Sequence, residues 1–156
     1  MSTGVEQAQQ SPFQILLVED NPADVNLTTT ALRDATKANN IHVVADGEQA
    51  LAFLMQEGNY ASAPRPDLVL LDLNLPMKDG FQVLEAMKAN TLLNTIPVIV
   101  VSGSDRASDI ARAYRLQVSA YLVKPLNVGD YFSAIRSIKE LWFHSVALPP
   151  KESEGI

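Results

Sequence analysis

The sequence predicts an α/β protein in which helices cover both faces of a parallel sheet. Short aliphatic runs alternate five times with longer segments of helical periodicity along the 156-residue chain. The run at residues 68–71 has no polar alternation, which indicates a strand buried on both faces. Pro66 and Pro76 bracket this run and leave no room for a helix. The length suits one domain with a substantial core, so we expect a single doubly wound (βα)5 domain.

The first two units are defined by turn residues as well as by apolar runs. The first strand covers residues 13–18, and Asn21 and Pro22 then suit the cap and first turn of a helix. Helical spacing continues through Val25, Thr28, Ala31, Leu32 and Ala35. We expect this helix to end at residues 37–40 and the second strand to cover residues 41–45. An Asp-Gly turn then opens the second helix, whose inward residues are Ala50, Leu51, Phe53 and Leu54.

Three further units repeat the pattern. The predicted elements are a turn at 76–80 with the third helix after it, a strand at 97–101, a helix at 107–115, a strand at 120–123 and a helix at 128–143. The inward residues of the third helix are Phe81, Val83, Leu84 and Met87. Strict alternation of this kind implies right-handed crossovers and favours the flavodoxin-like strand order 2-1-3-4-5.

Both ends of the chain lack the apolar periodicity of the middle. We assign residues 1–12 to a mobile N-terminal tail, residues 13–143 to the folded domain and residues 144–156 to a C-terminal tail. The N-terminus has no apolar core of the kind that a secretory signal needs.

Charge and composition exclude several classes of function. The net charge of −6 argues against non-specific binding to nucleic acid or to an anionic membrane. No apolar stretch is long enough to span a bilayer. The absence of cysteine excludes disulfides, thiol catalysis and cysteine-ligated metals. We therefore expect a cytoplasmic protein that binds neither nucleic acid nor membrane.

Polar side chains follow the strands at the edge where ligands bind in open α/β sheets. Glu19 and Asp20 follow the first strand, Asp72 the third, Ser102 the fourth and Lys124 the fifth. Neighbouring carboxylates repel one another, and a hard divalent cation such as Mg²⁺ would neutralise them. One carboxylate is then a candidate nucleophile toward phosphorus, with Lys124 stabilising the developing charge. A salt-bridged acidic pocket without chemistry is the alternative, and these residues alone leave it open.

Four segments of the chain resemble the receiver domain of two-component response regulators. They are Val18-Glu19-Asp20-Asn21, Leu71-Asp72-Leu73-Asn74-Leu75-Pro76, Val101-Ser102-Gly103 and Tyr121-Leu122-Val123-Lys124-Pro125. They occur in the family's order and spacing, and the resemblance extends over residues 13–143.

The resemblance implies a site and a function. Asp72 would accept a phosphoryl group from a phosphohistidine on a sensor histidine kinase, in Mg²⁺-dependent phosphorelay signalling. The implied metal ligands are Glu19, Asp20, Asp72 and the backbone carbonyl of Asn74. Ser102 and Lys124 would contact the phosphoryl oxygens, and Ser102 and Tyr121 would form the activation switch. The protein would catalyse only its own phosphoryl transfer and slow dephosphorylation. The Lys124–Pro125 peptide bond could adopt the cis form that is usual in this family.

Two details refine the resemblance. Glu19 stands where many family members have Asp, and its extra methylene should still reach the metal. The turn at residues 46–50, the long loop after the second helix and the aromatic end at residues 141–143 are similar to regulators paired with bacterial phytochromes. The kinase partner implied is therefore a bacterial phytochrome.

The last predicted helix carries more apolar residues than one sheet-facing side needs. Tyr131, Ile135, Ile138 and Trp142 form one row along it, with Phe132 and Phe143 beyond the edge of that row. Exposed apolar surface commonly marks an interface, and two-fold pairs are the commonest oligomers. We expect signalling by contact, with a homodimer formed through the fourth helix, fifth strand and fifth helix.

Three other functions fit the sequence less well. A phosphatase with an Asp nucleophile of the haloacid-dehalogenase type needs a general acid where this chain has Asn74. A flavin mononucleotide binder needs a phosphate loop where Glu19 and Asp20 would repel phosphate. A receiver-like interaction module that works without phosphorylation predicts loss of Asp72, Ser102 or Lys124, and all three are present.

Overall fold

The computed structural model describes residues 11–34 and 36–150. Over these residues it contains one sheet of five parallel strands in the order β2-β1-β3-β4-β5. The strands are β1 Phe13–Val18, β2 Asn39–Val44, β3 Leu68–Leu71, β4 Val98–Ser102 and β5 Ala120–Val123. The helices are α1 Pro22–Ala31, α2 Gly47–Met55, α3 Gly80–Ala89, α4 Ala107–Arg115 and α5 Val128–His144, with a 3-10 turn at Gly58–Tyr60. The predicted flavodoxin-like α/β fold and its strand order are confirmed.

The central strands are apolar on both faces because each face packs against helices. In β1, Leu16 and Val18 belong to a core cluster that also contains residues of α2, α3 and α4. Ile15 and Leu17 belong to a second cluster with residues of α1 and α5. All four residues of β3 are buried. Two cores on opposite faces of the sheet thus hold the strand ends in place.

The first helix ends earlier than its periodicity predicts. The last residue of α1 is Ala31, and β2 begins at Asn39 rather than at Ile41. The side chain of Asp34 accepts hydrogen bonds from the backbone N–H of Thr36 at 2.7 Å and from its hydroxyl at 2.6 Å. An Asp side chain that binds nearby backbone in this way competes with the helix for the same groups. A local turn therefore replaces the predicted last turn of the helix.

The last helix buries more of its apolar surface than the single row predicts. Phe143, placed beyond the edge of that row, is buried with its ring centroid 4.6 Å from that of Phe13. Its expected exposure is wrong because α5 packs against the start of β1 as well as against α1. Beyond the helix, Leu148 packs against the same core cluster. Of the predicted tails, at residues 1–12 and 144–156, residues 1–10 and 151–156 lie outside the described residues, and His144 is the last residue of α5.

No helix among the described residues has both the length and the apolar composition needed to cross a membrane.

The start of α3 lies against the loop that carries Asp72. The backbone N–H of Gly80 donates to the carbonyl of Leu73 at 2.9 Å. A Cβ on Gly80 would lie 2.6 Å from the Asp72 carbonyl oxygen and 2.7 Å from the Leu73 Cα. Both are backbone atoms, which cannot rotate away. The absence of a side chain at Gly80 therefore sets how closely α3 approaches the loop.

We predict that Gly80→Ala lowers the free energy of unfolding by about 1–3 kcal/mol, because overpacking must displace the Asp72 loop or α3. Gly103→Ala is the matched control, since a Cβ there meets nothing within 4 Å. Urea denaturation of both variants measures the difference. Equal stability of Gly80→Ala and wild type would show that the loop is not held in place by this contact.

Candidate functional site

The parallel pairing of the strands brings the predicted residues to one edge. Val18 pairs with Leu71, so Glu19 and Asp72 lie side by side where their strands end. The backbone N–H of Asp72 donates to the Val18 carbonyl at 3.0 Å, which continues this pairing by one residue. Ser102 ends β4 and is completely buried. The site thus lies over the middle of the sheet, on strands packed on both faces.

The Lys124 ammonium joins three carboxylates. Its Nζ lies 2.7 Å from Glu19 Oε1, 2.9 Å from Asp24 Oδ2 and 3.0 Å from Asp72 Oδ2. An ammonium has three N–H donors, and each of them has a partner here.

The peptide bond that precedes Pro125 is trans, because the described residues contain no cis bond. The cis form, which the resemblance to receiver domains implies, is therefore not observed. The cis and trans forms of an X–Pro bond differ little in free energy.

Burial makes the negative charge in this site costly. The pKa of Glu19 is raised to about 6, because burial and the nearby charge of Asp72 raise it by more than the hydrogen bond from Lys124 lowers it. Burial alone would lower the pKa of Lys124, but the hydrogen bonds to Glu19 and Asp24 and the charge of Asp72 outweigh it. The pKa of Lys124 is therefore raised above its usual range. One ammonium does not neutralise the carboxylates around it, so the site favours a further positive charge.

The carboxylates fit a divalent cation. Glu19, Asp20 and Asp72 each offer an oxygen, and these oxygens all lie within 4.8 Å of one another. Backbone N–H groups orient two of the three: Asn21 donates to Glu19 Oε2 at 3.1 Å, and Asn74 donates to Asp72 Oδ1 at 3.1 Å. Hard divalent cations prefer such an all-oxygen set. The pKa of Glu19 points the same way, since a bound cation would stabilise its charged form.

A chain of hydrogen bonds leads from Ser102 to β5. The hydroxyl oxygen of Ser102 accepts a hydrogen bond from the backbone N–H of Ser104 at 3.2 Å. The hydroxyl of Tyr121 donates to the backbone carbonyl of Ser104 at 2.8 Å. The hydroxyl of Ser104 donates to Asp109 of α4 at 2.6 Å. Ser104 therefore connects Ser102 with Tyr121.

Two residues at this site, Asp24 and Ser104, are not among those predicted from the sequence. Asp24 lies in the first turn of α1, and Asn21 caps this helix. Because this turn directly follows β1, it lies next to the carboxyl ends of the strands, and that position could have identified Asp24. Ser104 follows Ser102 by two residues, but its part in the chain of hydrogen bonds depends on contacts that no sequence pattern shows.

Comparison with known proteins agrees with this geometry. The family model of the response regulator receiver domain matches residues 15–136. Response regulator Rcp1 of Synechocystis sp. is 44% identical over 138 residues, which cover 88% of this chain and 94% of that protein.

Solved structures extend the likeness to three dimensions. The crystal structure of the phosphorylated cyanobacterial phytochrome response regulator RcpA has a TM-score of 0.87 and 44% identity, covering 90% of this chain and 100% of that one. The Mn²⁺-bound form of response regulator Rcp1 has a TM-score of 0.86 and 43% identity, covering 89% of this chain and 100% of that one. With a family model that matches most of its length and relatives aligned almost from end to end, this chain belongs to the response regulator receiver domain family.

Proposed function

We propose that Asp72 accepts a phosphoryl group from the phosphohistidine of a sensor histidine kinase, and that the phosphorylated protein signals by contact with other proteins. One observation carries this proposal: the buried carboxylate of Asp72 lies 3.0 Å from Lys124 Nζ and within the acidic cluster that fits a divalent cation. A nucleophilic oxygen, a cation site and a mobile positive charge are what phosphoryl transfer to a carboxylate needs.

In the proposed reaction, an Asp72 oxygen forms a P–O bond while the P–N bond of the phosphohistidine breaks. The electron pair of that bond stays on the imidazole nitrogen, which then takes up a proton. Lys124 and the Ser102 hydroxyl donate hydrogen bonds to the phosphoryl oxygens. Bound Mg²⁺, held by Glu19, Asp20, Asp72 and the backbone carbonyl of Asn74, would neutralise charge on the transferred group. The protein would act on no other substrate and would lose the group only slowly.

Two of the alternative functions, a phosphatase and an interaction module that needs no phosphorylation, are less well supported. An Asp-nucleophile phosphatase needs a general acid two residues after Asp72, and Asn74 cannot give up a proton in that role. An interaction module that works without phosphorylation does not need an acceptor carboxylate with a lysine and a serine beside it. Here Lys124 contacts Asp72 directly, and Ser102 is buried at the end of the neighbouring strand.

The proposed kinase is a bacterial phytochrome. The support is the similarity to RcpA, which is a phytochrome response regulator, over 90% of this chain. The protein has to share a compartment with its kinase, and we propose the cytoplasm for both.

The proposed switch works through Ser104. A phosphoryl group brings roughly −1.5 to −2 charge and three acceptor oxygens. Ser102 would turn its hydroxyl toward that group and weaken its bond to the Ser104 N–H. The carbonyl of Ser104 holds the Tyr121 hydroxyl, so movement at Ser104 would change the packing of Tyr121 on β5. Two arrangements of one packed element can carry a signal in this way.

We also propose a homodimer formed through α4, β5 and α5. Tyr114, Val123 and Leu141 lie on these three elements with 49%, 37% and 53% of their surface exposed. Large apolar side chains exposed on adjacent elements commonly mark an interface. The buried Phe143 belongs to the core and does not serve this face.

We predict that Asp72→Asn abolishes phosphorylation, because the amide oxygen is a poor nucleophile. Incubation with acetyl phosphate and Mg²⁺, followed by intact-mass analysis, should show one added phosphoryl group in the wild type and none in the variant. Asp67→Asn is the control, since Asp67 precedes β3 at the opposite edge of the sheet. Undiminished labelling of Asp72→Asn would contradict the assignment.

We predict that Mg²⁺ affinity falls by up to about tenfold per pH unit below pH 6, because binding must displace a proton from Glu19, whose pKa is about 6. Glu19→Gln should weaken binding and flatten this pH dependence, which calorimetric titration at several pH values measures.

The same shift has a consequence for the metal-free protein. The pKa of Glu19 in the folded state lies above its ordinary value of 4.5. The stability that this group contributes is therefore present below pH 4.5 and lost as the pH rises through about 6, by on the order of 2 kcal/mol. An unaltered pH dependence in Glu19→Gln, for binding or for stability in EDTA, would refute the role given to Glu19.

We predict that the protein sediments as a dimer at micromolar concentration, more strongly in the presence of beryllium trifluoride and Mg²⁺. Leu141→Asp should give a folded monomer, because it places a charge in the proposed interface. Leu92→Asp is the matched control, since Leu92 is 50% exposed but lies in the loop after α3. A wild-type monomer in both states, or a Leu141→Asp dimer, would exclude this face.

A further inference from the structure

Asp24 contacts the site from outside the strand ends. It lies in the first turn of α1, where its backbone N–H donates to the side chain of Asn21 at 3.1 Å. Its Oδ2 lies 2.9 Å from Lys124 Nζ, and its side chain is 25% exposed. The capped helix start fixes where this carboxylate can reach.

Asp24 is the partner of Lys124 that a cation would not take. Among the described residues, the oxygens that converge for a metal come from Glu19, Asp20 and Asp72. A cation there would draw charge from Glu19 and Asp72 and so weaken two of the three ion pairs of Lys124. The pair with Asp24 would remain and would become the main contact of the ammonium.

We propose that Asp24 is a positioning residue that acts through Lys124 and limits how strongly the site holds a phosphoryl group. This rests on the proposed function of Asp72. The ammonium has one charge to share among all its acceptors, and Asp24 holds part of it outside the metal cluster. A phosphoryl group on Asp72 therefore competes with the Asp24 carboxylate for Lys124.

A purely structural role for Asp24 predicts the opposite effect. If Asp24 only anchored Lys124, loss of the Asp24 charge would let the Lys124 side chain move and would weaken the binding of a phosphoryl group. If it competes for Lys124, loss of its charge strengthens that binding. The sign of the change therefore separates the two roles.

Beryllium trifluoride, a stable substitute for a phosphoryl group, is the probe, titrated at saturating Mg²⁺. We expect Asp24→Asn to bind it about fivefold more tightly, because a partly exposed ion pair is worth about 1 kcal/mol. Asp24→Ala should also bind more tightly, whereas Asp24→Glu, which keeps the charge, should behave like the wild type. Glu85→Gln is the matched control, since it removes a helix carboxylate paired with Arg112, 3.1 Å away.

The outcomes separate this inference from the proposed function. Failure of the wild type to bind the probe, or equal binding by Asp72→Asn, would overturn the function of Asp72 and with it this inference. Binding that depends on Asp72 but is unchanged or weakened in folded Asp24→Asn and Asp24→Ala would overturn the role of Asp24 alone.

Discussion

The ion pairs of Lys124 are the interaction on which the site depends. Its ammonium holds Glu19 after β1, Asp24 in α1 and Asp72 after β3, and all three are distant from Lys124 in sequence. Buried charges cost free energy unless they are paired, and with Asp20 the site has more carboxylates than its one ammonium can neutralise. Burial, together with the charge of Asp72, raises the pKa of Glu19, and the excess of negative charge explains the fit to a divalent cation.

The scaffold makes this arrangement possible. Strands β1, β3 and β4 are packed on both faces, so their ends cannot move apart to relieve the repulsion between carboxylates. The close approach of Gly80 to the backbone of Asp72 and Leu73 holds the acceptor loop from the side of α3. A rigid sheet therefore maintains a cluster of like charges, and the binding of a cation can relieve the repulsion between them. The free energy of the core thus supports the chemistry at its edge.

Most of the fold and of the site could be predicted because both follow from local patterns. Continuous apolar runs identified the strands. Because ligands bind at the carboxyl ends of such strands, the site could be predicted from the polar residues that follow them, which are Glu19, Asp20, Asp72, Ser102 and Lys124. The early end of α1 escaped prediction because the Asp34 side chain competes with the helix for backbone groups. The burial of Phe143 depends on Phe13, which is distant in sequence, and periodicity within one helix cannot show it. The place of Asp24 in the first turn of α1 could have identified it, but its contact with Lys124 joins two distant parts of the chain and is not visible in the sequence.

Lys124 pairs with the carboxylates of Glu19 and Asp72 until a cation binds them. The Lys124 ammonium then pairs with a phosphoryl group on Asp72. A crystal structure with Mn²⁺ and beryllium trifluoride tests this most directly, because anomalous scattering locates the cation. We expect an anomalous peak among Glu19, Asp20 and Asp72. We also expect Lys124 Nζ, which lies 2.7 Å from Glu19 Oε1, to move to a fluoride on Asp72. A cation bound elsewhere, or Lys124 still on Glu19 beside an occupied Asp72, would contradict the account.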